Sequence, residues 1–419
     1  MDKAINALVV LFIGIAILGS VLAFPSISWS QSRAPLPAIA NAFSEDMQAA
    51  FQTIVDDEFS FATQKAGMSV AVYSGNKLWT YATGIADSGI DMTVDTPIPI
   101  GSTSKTFMSA LVLSQIEAGL YNLTDSLEAV LSGHPAYTSF DLEKINPQVS
   151  VEQLLSMRSG LPHYQENKDG KKKFFQEAAP WKPSDNVNLV QSSYTEPGAF
   201  DYNDTNLVLL GLIAEFQSGQ SLYDLYKQQF FDPLGVTVWF PPQDAVPSDV
   251  ARPHGNLSPW ADGFGNLIDA APYTFDFFWV GQSRIRYPCC GLISTPKDTA
   301  RWAYELYSSN GLAISALART RLLKSLSNDP VHFAGMQRYY GYLVTKQTSS
   351  PPSSATVTIG HPGGGAGYVS LLRYSPDFDL AVSVLQNSLW RGPGKCDAKR
   401  QRIVIGRCIV SRIFSAYAQ

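Results

Sequence analysis

A lysine one helical turn after a serine, at the mouth of an apolar run, is the feature that most constrains this chain. Gly101-Ser102-Thr103-Ser104-Lys105-Thr106-Phe107 leads into a helical pattern carried by Phe107, Ala110, Leu111, Leu113 and Ser114, with Gly119 as its stop. Residues three apart share a helix face, so the Lys105 amine can be held against the Ser102 oxygen. A serine hydroxyl is a poor nucleophile until its proton is taken, and a nearby desolvated amine can take it. A second Ser-x-x-Lys, Ser294-Thr295-Pro296-Lys297, has a plainer meaning. Thr295 is a good N-cap, Pro296 suits the first helical position and Asp298 sits in the first turn, so this match predicts a helix start.

Composition excludes several classes. The chain has 419 residues, 45% apolar and 16% charged, which suits a large core and not a disordered chain. Length alone suggests two or three domains. A formal charge of -5 gives no reason to expect a nucleic-acid partner. The four cysteines, Cys289, Cys290, Cys396 and Cys408, form no Cys-x-x-Cys pair, and there is no His-Glu-x-x-His. No metal site and no cofactor is therefore expected. A Gly-x-Ser-x-Gly elbow and a glycine-rich phosphate loop are also missing.

Residues 7–24 carry no charge and follow Lys3. The Gly19-Ser20 break and the small residues before Ala23 predict a signal peptide over 1–23, with an uncleaved anchor as the alternative. Residues 24–36 read as a linker. The remainder is expected outside the cytoplasm, secreted or periplasmic, and touches a membrane only if the N-terminal segment stays attached.

A helical pattern follows over about 37–58 through Ile39, Phe43, Met47, Phe51, Ile54 and Val55. Met68–Tyr73 and Leu78–Ala82 read as a hairpin around Ser74-Gly75-Asn76. Residues 149–162 predict a short capped helix and a Gly-Pro turn. Lys168–Lys173 is a basic run, either a solvated loop or a rim that attracts an anionic substrate. Pro197–Asn206 is a turn presenting Tyr202 at the entry of a buried helix over 207–215. Tyr202 could relay protons if positive charge lowered its pKa. Residues 255–290 are rich in aromatics, read mainly as core with a few lining an apolar pocket. Strands are predicted over 339–344, 356–365, 368–374 and 380–387, the last two joined by Ser375-Pro376-Asp377. A helix over 398–416 closes the chain.

Taken together, these segments resemble the serine β-lactamase and DD-peptidase superfamily, nearest to its class C β-lactamase, DD-carboxypeptidase and esterase branch. Ser102-Thr103-Ser104-Lys105 matches the first motif. Leu154-Leu155 through Ser159-Gly160-Leu161-Pro162 matches "LLxHTSGLP", with Met157 and Arg158 replacing histidine and threonine. Pro197-Gly198 through Tyr202-Asn203-Asp204 and Leu210-Gly211 matches "PGxxFxYSN…LLG". Gly291–Thr295 matches "GGLxST", with Cys290 at its first glycine. Gly360-His361-Pro362-Gly363 with Gly367-Tyr368 matches "GHxGxxxGF".

The resemblance implies an α/β (α+β) fold: an antiparallel sheet flanked by N- and C-terminal helices, plus a mostly helical subdomain. A catalytic domain over 37–419 would divide into a sheet subdomain (about 37–100 and 289–419) and a helical one (about 101–288), with the site between. It implies that Ser102 is acylated, that Lys105 eases its deprotonation and that Tyr202 carries the proton to the leaving group. His361 would orient Tyr202 or substrate. The N–H groups of Ser102 and Gly364 would hold the oxyanion, with Gly363 and Asp204 alongside the substrate.

Three departures bear on activity. Asp204 stands where Asn is commoner, accepts only, and could pair with Lys105 and make it a poorer base. Pro362 replaces a hydroxyl residue often used to grip a carboxylate. His361 is less charged than lysine at neutral pH. These favour a small-molecule or peptide substrate cleaved at an amide or ester, as in a D-amino-acid peptidase or esterase. A β-lactamase, an acyl-transferring transesterase and a non-catalytic binding relative are the alternatives. Cys396 and Cys408 are close enough in sequence to pair, while Cys289 and Cys290 could form a vicinal disulfide or stay free. Asn122, Asn203 and Asn256 lie in glycosylation sequons, and a glycan at Asn203 would block the site.

Overall fold

Met68–Tyr73 is buried at every position, on both faces of the strand it forms. Such a strand needs cover on two sides, and the rest of the fold supplies it. The computed structural model describes residues 42–62, 66–171, 174, 180–253, 283–326, 330–333, 336–348, 357–365, 367–388, 395–396 and 405–419. The chain divides into two units, Met1–Gln31 and Ser32–Gln419, and every described residue belongs to the second. The apolar N-terminal segment, the linker and most of the aromatic stretch lie outside the described residues.

The main sheet takes strands from both ends of the chain. They are β1 (Met68–Ser74), β2 (Lys77–Thr83), β3 (Pro330–Phe333), β4 (Met336–Tyr340), β5 (Thr345–Thr348), β6 (Val357–Gly360), β7 (Pro362–Gly365), β8 (Tyr368–Ser375) and β9 (Leu380–Gln386). Their order is β2-β1-β9-β8-β6-β5-β4-β3, with β7 pairing on β8, and all pairings are antiparallel. Gly75, at φ 63°, makes the β1–β2 turn that the sequence places there.

Two helices cover one face. In α1 (Glu45–Phe61), Ser44 caps the N-terminus by accepting from the Met47 N–H. Phe51, Ile54 and Val55 of α1 meet Val70, Val72, Val382 and Val384, with Ile409, Ile413 and Phe414 of α5 (Ile405–Tyr417). Arg412 ties the two helices together by pairing with Glu58 at 2.9 Å and Asp57 at 3.0 Å. The alternate residues Ala71, Tyr73 and Ala381 face the second, larger core. That core includes Trp302 and Leu306 of α4 (Pro296–Tyr307), α2 (Lys105–Glu117) and α3 (Thr205–Ser218). Both α2 and α3 are buried nearly all round, which explains why their sequences show little polar face.

Ser294-Thr295-Pro296-Lys297 is the helix start its residues predict. The Asp298 N–H donates to Thr295 Oγ1 at 3.4 Å, and Pro296 occupies the first turn of α4. Thr295→Ala is expected to cost about 1 kcal/mol, read as a lower urea midpoint with unchanged slope.

Three element boundaries differ from expectation. The first helix begins at Glu45 rather than near 37. Tyr339–Val344 is not one strand: β4 stops at Tyr340, and Leu343 adopts φ 57° in a turn before β5. The glycine-ended strand is split into β6 and β7 at His361, where Gly360 adopts φ 153°. Residues in such conformations interrupt a ladder, but their side chains do not reveal it in sequence. Among the described residues no helix is long and apolar enough to cross a membrane.

Candidate active site

Ser102 lies in a 3-10 turn, Gly101–Ser104, that feeds directly into α2. Gly101 holds φ 52°, and a Cβ there would come within 2.8 Å of the Gly364 nitrogen. The turn is fastened to the sheet by buried hydroxyls. Thr103 Oγ1 donates to the His361 carbonyl at 3.0 Å and meets Ser370 Oγ at 2.7 Å, while Ser370 Oγ donates to the Ile100 carbonyl at 2.6 Å. With Ser104 Oγ donating to the Gly101 carbonyl at 2.7 Å and Thr106 Oγ1 to the Thr103 carbonyl at 2.8 Å, the hydroxyls of this buried run are satisfied. The fastening also presses β7 against the turn: a Cβ on Gly363 would sit 3.0 Å from the Ser102 nitrogen.

Lys105 is fully buried and projects back along the helix face. Its Nζ donates to Ser102 Oγ at 3.1 Å and to Cys290 Sγ at 3.0 Å, and pairs with Asp204 Oδ1 at 2.7 Å. The pairing expected from an acid at position 204 is therefore present. Asp204 stands at the N-cap position of α3 but does not cap it, because its carboxylate is turned to Lys105. Neighbouring side chains hold the turn in place instead. Asn203 Nδ2 donates to the Leu161 carbonyl at 2.7 Å, Thr205 Oγ1 to the Pro162 carbonyl at 2.7 Å, and Ser159 Oγ to Asn206 Oδ1 at 2.6 Å. The Ser159–Pro162 and Tyr202–Asn206 segments thus form one unit. Asn203 is 1% exposed and already bonded, so its sequon offers no nitrogen to a glycosyl donor in the folded chain.

The electrostatics follow from this burial. Desolvation pushes the Lys105 amine down, but the Asp204 carboxylate, then Cys290 and Tyr202, more than offset it and hold the amine well above its ordinary value. Desolvation pushes the Asp204 carboxyl up, and Lys105 and His163 overturn that, holding it below the usual carboxylate range. Lys105 is a cation at neutral pH and Asp204 an anion. Burial raises the Tyr202 hydroxyl, with Lys105 opposing only in part, so Tyr202 is protonated. Its ring lies 5.0 Å from Lys105 Nζ.

His361 is neutral: burial and the Lys105 charge both press it well below its ordinary value. Its Nδ1 lies 2.6 Å from the Pro362 carbonyl, which requires a hydrogen on that nitrogen. Nε2 then accepts from the Tyr340 hydroxyl at 3.2 Å. His361 stacks on the Tyr202 ring at 6.0 Å and makes no hydrogen bond to it.

The structure brings Ser102, Lys105, Tyr202, Asp204 and His361 together, with Gly363 and Gly364 alongside. It adds groups that motif reading passes over. Cys290 Sγ lies 3.5 Å from Ser102 Oγ and 2.8 Å from Cys289 Sγ, and neither cysteine is in a disulfide. Gln165 Nε2 donates to Asp204 Oδ2 at 2.9 Å, and His163 Nε2 lies 3.8 Å from the same oxygen. The signal for Cys290 was its place at a motif glycine; Gln165 and His163 carry no local signal. Asp204, Cys289 and Cys290 offer three ligand atoms within 4.8 Å of one another, and two of these residues, Asp204 and Cys290, already bond the Lys105 ammonium.

Comparisons with known proteins agree on the family and the fold. The Beta-lactamase family model matches residues 39–406. Penicillin-binding protein 4 of Amycolatopsis lactamdurans is 24% identical over 338 residues, covering 77% of this chain and 80% of that one. A D-aminopeptidase of Brucella anthropi is 28% identical over 179 residues, covering 41% of this chain and only 31% of that one. The D-amino acid amidase from Ochrobactrum anthropi SV3, solved with D-phenylalanine, superposes with a TM-score of 0.69 at 21% identity. That match covers 89% of this chain and 99% of the amidase.

Proposed function

The chain belongs to the β-lactamase family of serine hydrolases, and on that premise we propose that it cleaves an amide or ester through an acyl-enzyme on Ser102. The observation that carries this is Ser102 Oγ set 3.1 Å from a buried ammonium, in a turn against which β7 packs so closely that a Cβ on Gly101 would meet the Gly364 nitrogen at 2.8 Å. Ser102 attacks the carbonyl carbon. The N–H groups of Ser102 and Gly364 receive the developing oxyanion, already placed before charge appears. Lys105 stays an ammonium and stabilises the oxygen that loses its proton. Tyr202, protonated and lying against His361 and Lys105, hands a proton to the leaving group.

The substrate class follows from what the site can grip. Lys105 is committed to Asp204, His361 is neutral, and Pro362 offers neither hydroxyl nor N–H. No fixed charge in this set is left over for a substrate carboxylate. That supports a D-amino-acid amide or amino-terminal peptide, or an ester, over a β-lactam or a carboxy-terminal peptide. The aminopeptidase and amidase relatives support the same preference. The apolar segment at 7–24 and the Cys396–Cys408 disulfide support an exported enzyme.

Turnover measurements on a D-amino acid amide, its L counterpart, a short-chain p-nitrophenyl ester, a D-Ala-D-Ala peptide and benzylpenicillin test the reading. Faster turnover of the D-amide or the ester than of the other three is expected. Preference for benzylpenicillin or the D-Ala-D-Ala peptide would overturn it. Gly363→Ala tests the oxyanion geometry. Its Cβ would collide with the Ile100 carbonyl and Ser370 Oγ, forcing β7 away from the Ser102 nitrogen. Phosphonylation of Ser102 by a fluorophosphonate is expected to slow by about 10²-fold with the chain still folded.

A further inference from the structure

An acyl-enzyme mechanism needs a group to receive the Ser102 proton, and the amine that lies against Ser102 Oγ is an ammonium with no lone pair to take it. Lys105 already carries its full complement of protons and is pinned by Asp204 at 2.7 Å. Tyr202 is protonated. Asp204 reaches Lys105, Gln165 and the cysteine pair, not Ser102. Apart from Lys105, the side chain hydrogen-bonded to Ser102 Oγ is Cys290, with Sγ at 3.5 Å.

We propose that Cys290 is a catalytic residue, its thiolate acting as the general base that takes the Ser102 proton. The proposal rests on the acyl-enzyme reading above. Lys105 Nζ donates to Ser102 Oγ at 3.1 Å and to Cys290 Sγ at 3.0 Å, so one ammonium stabilises the thiolate before transfer and the oxyanion of serine during it. In the acylation step the Oγ–H proton moves to Sγ while the Oγ electron pair forms the bond to the carbonyl carbon. The carbonyl π pair moves to oxygen. When it returns, the bond to the leaving group breaks, and the leaving atom takes a proton that is replaced from the Cys290 thiol. Deacylation repeats the sequence with water in place of serine. The thiolate is restored, and nothing is oxidised or reduced.

The charges around Cys290 set when it can act. Burial and the Asp204 carboxylate favour the thiol. The Cys289 sulfur in contact at 2.8 Å, the Lys105 ammonium and the Arg286 guanidinium favour the thiolate, and together they bring the group down to about 7. Tyr164, Tyr202 and Tyr340 also face it, and burial keeps all three protonated. Cys289 is held as a thiol by burial and by its neighbour. A base that titrates near the working pH is the most effective kind, and Lys105 and Asp204 are both far from it.

The test is the pH dependence of kcat/KM for wild type, Cys290→Ala and Cys290→Ser, on whichever substrate the enzyme turns over. Fluorophosphonate labelling of Ser102 runs in parallel, and the fold is checked by circular dichroism. Wild type is expected to lose activity on the acid side with a midpoint near 7. Both variants are expected to lose that limb and about 10²-fold or more of kcat/KM. A wild-type acid limb retained in a folded Cys290 variant, with kcat/KM within about threefold, would overturn the proposal while leaving Ser102 as nucleophile. Should a variant fail to fold, the thiolate ultraviolet absorbance of wild type must rise with the same midpoint as kcat/KM; a thiol titrating apart from activity also overturns it. Absence of any label on wild-type Ser102 would instead strike the acyl-enzyme reading, and a label on Cys290 would make it the nucleophile and not the base.

Discussion

Ser102→Ala is expected to lower kcat/KM by about 10⁴-fold or more and to leave stability within about 1 kcal/mol of wild type. The asymmetry follows from the contacts. Ser102 Oγ bonds only Lys105 and Cys290 among the described residues, and those two remain bonded to each other at 3.0 Å and to Asp204 after the change. No buried charge is stranded. The reaction, however, loses the atom that forms the acyl bond. Equal loss of activity and of stability would mean that Ser102 is structural.

Asp204→Ala is expected to do the reverse damage first. Asp204 and Lys105 form a buried pair, with side chains 9% and 0% exposed. Removing the carboxylate leaves the ammonium with Cys290 as its remaining counter-charge, a loss of about 3 kcal/mol or more. The pair also fixes how stability varies with pH. The Asp204 carboxyl is depressed in the fold, so its contribution is complete above its unfolded value of 3.8 and is lost as pH falls through the lower folded value. The Lys105 amine is raised, so its contribution is complete below 10.5 and is lost as pH rises through the higher folded value. Urea unfolding from pH 3 to 11 should show both shoulders in wild type and neither in Asp204→Ala. A variant as stable as wild type at pH 7 would show that the ion pair contributes nothing net.

Much of this was legible in sequence because short-range rules generate it. Ser102 and Lys105 meet through helical spacing alone, and Thr295 with Pro296 signals a helix start wherever it occurs. The β1–β2 hairpin follows from two strand-forming runs either side of the Ser74-Gly75-Asn76 turn. The meeting of Tyr202 with Lys105 was legible only through resemblance, since nearly a hundred residues separate them. What was not legible depends on distant packing. Nothing near Gln165 or His163 indicates that the Ser159–Pro162 loop will be stitched to Asn203 and Asn206 and deliver both side chains to Asp204. His361 was expected to orient Tyr202 or substrate, and nothing in the sequence signals that its nitrogens would meet Tyr340 and the Pro362 carbonyl. That outcome depends on where β4 stops, which the left-handed turn at Leu343 hides.

The central claim is that Ser102 becomes acylated. Intact-protein mass spectrometry of the folded chain after incubation with a fluorophosphonate, followed by peptide mapping, tests it most directly. A single phosphonyl adduct on the peptide containing Ser102, absent from Ser102→Ala, is the predicted result. An unmodified mass, or an adduct that persists in Ser102→Ala, would contradict it.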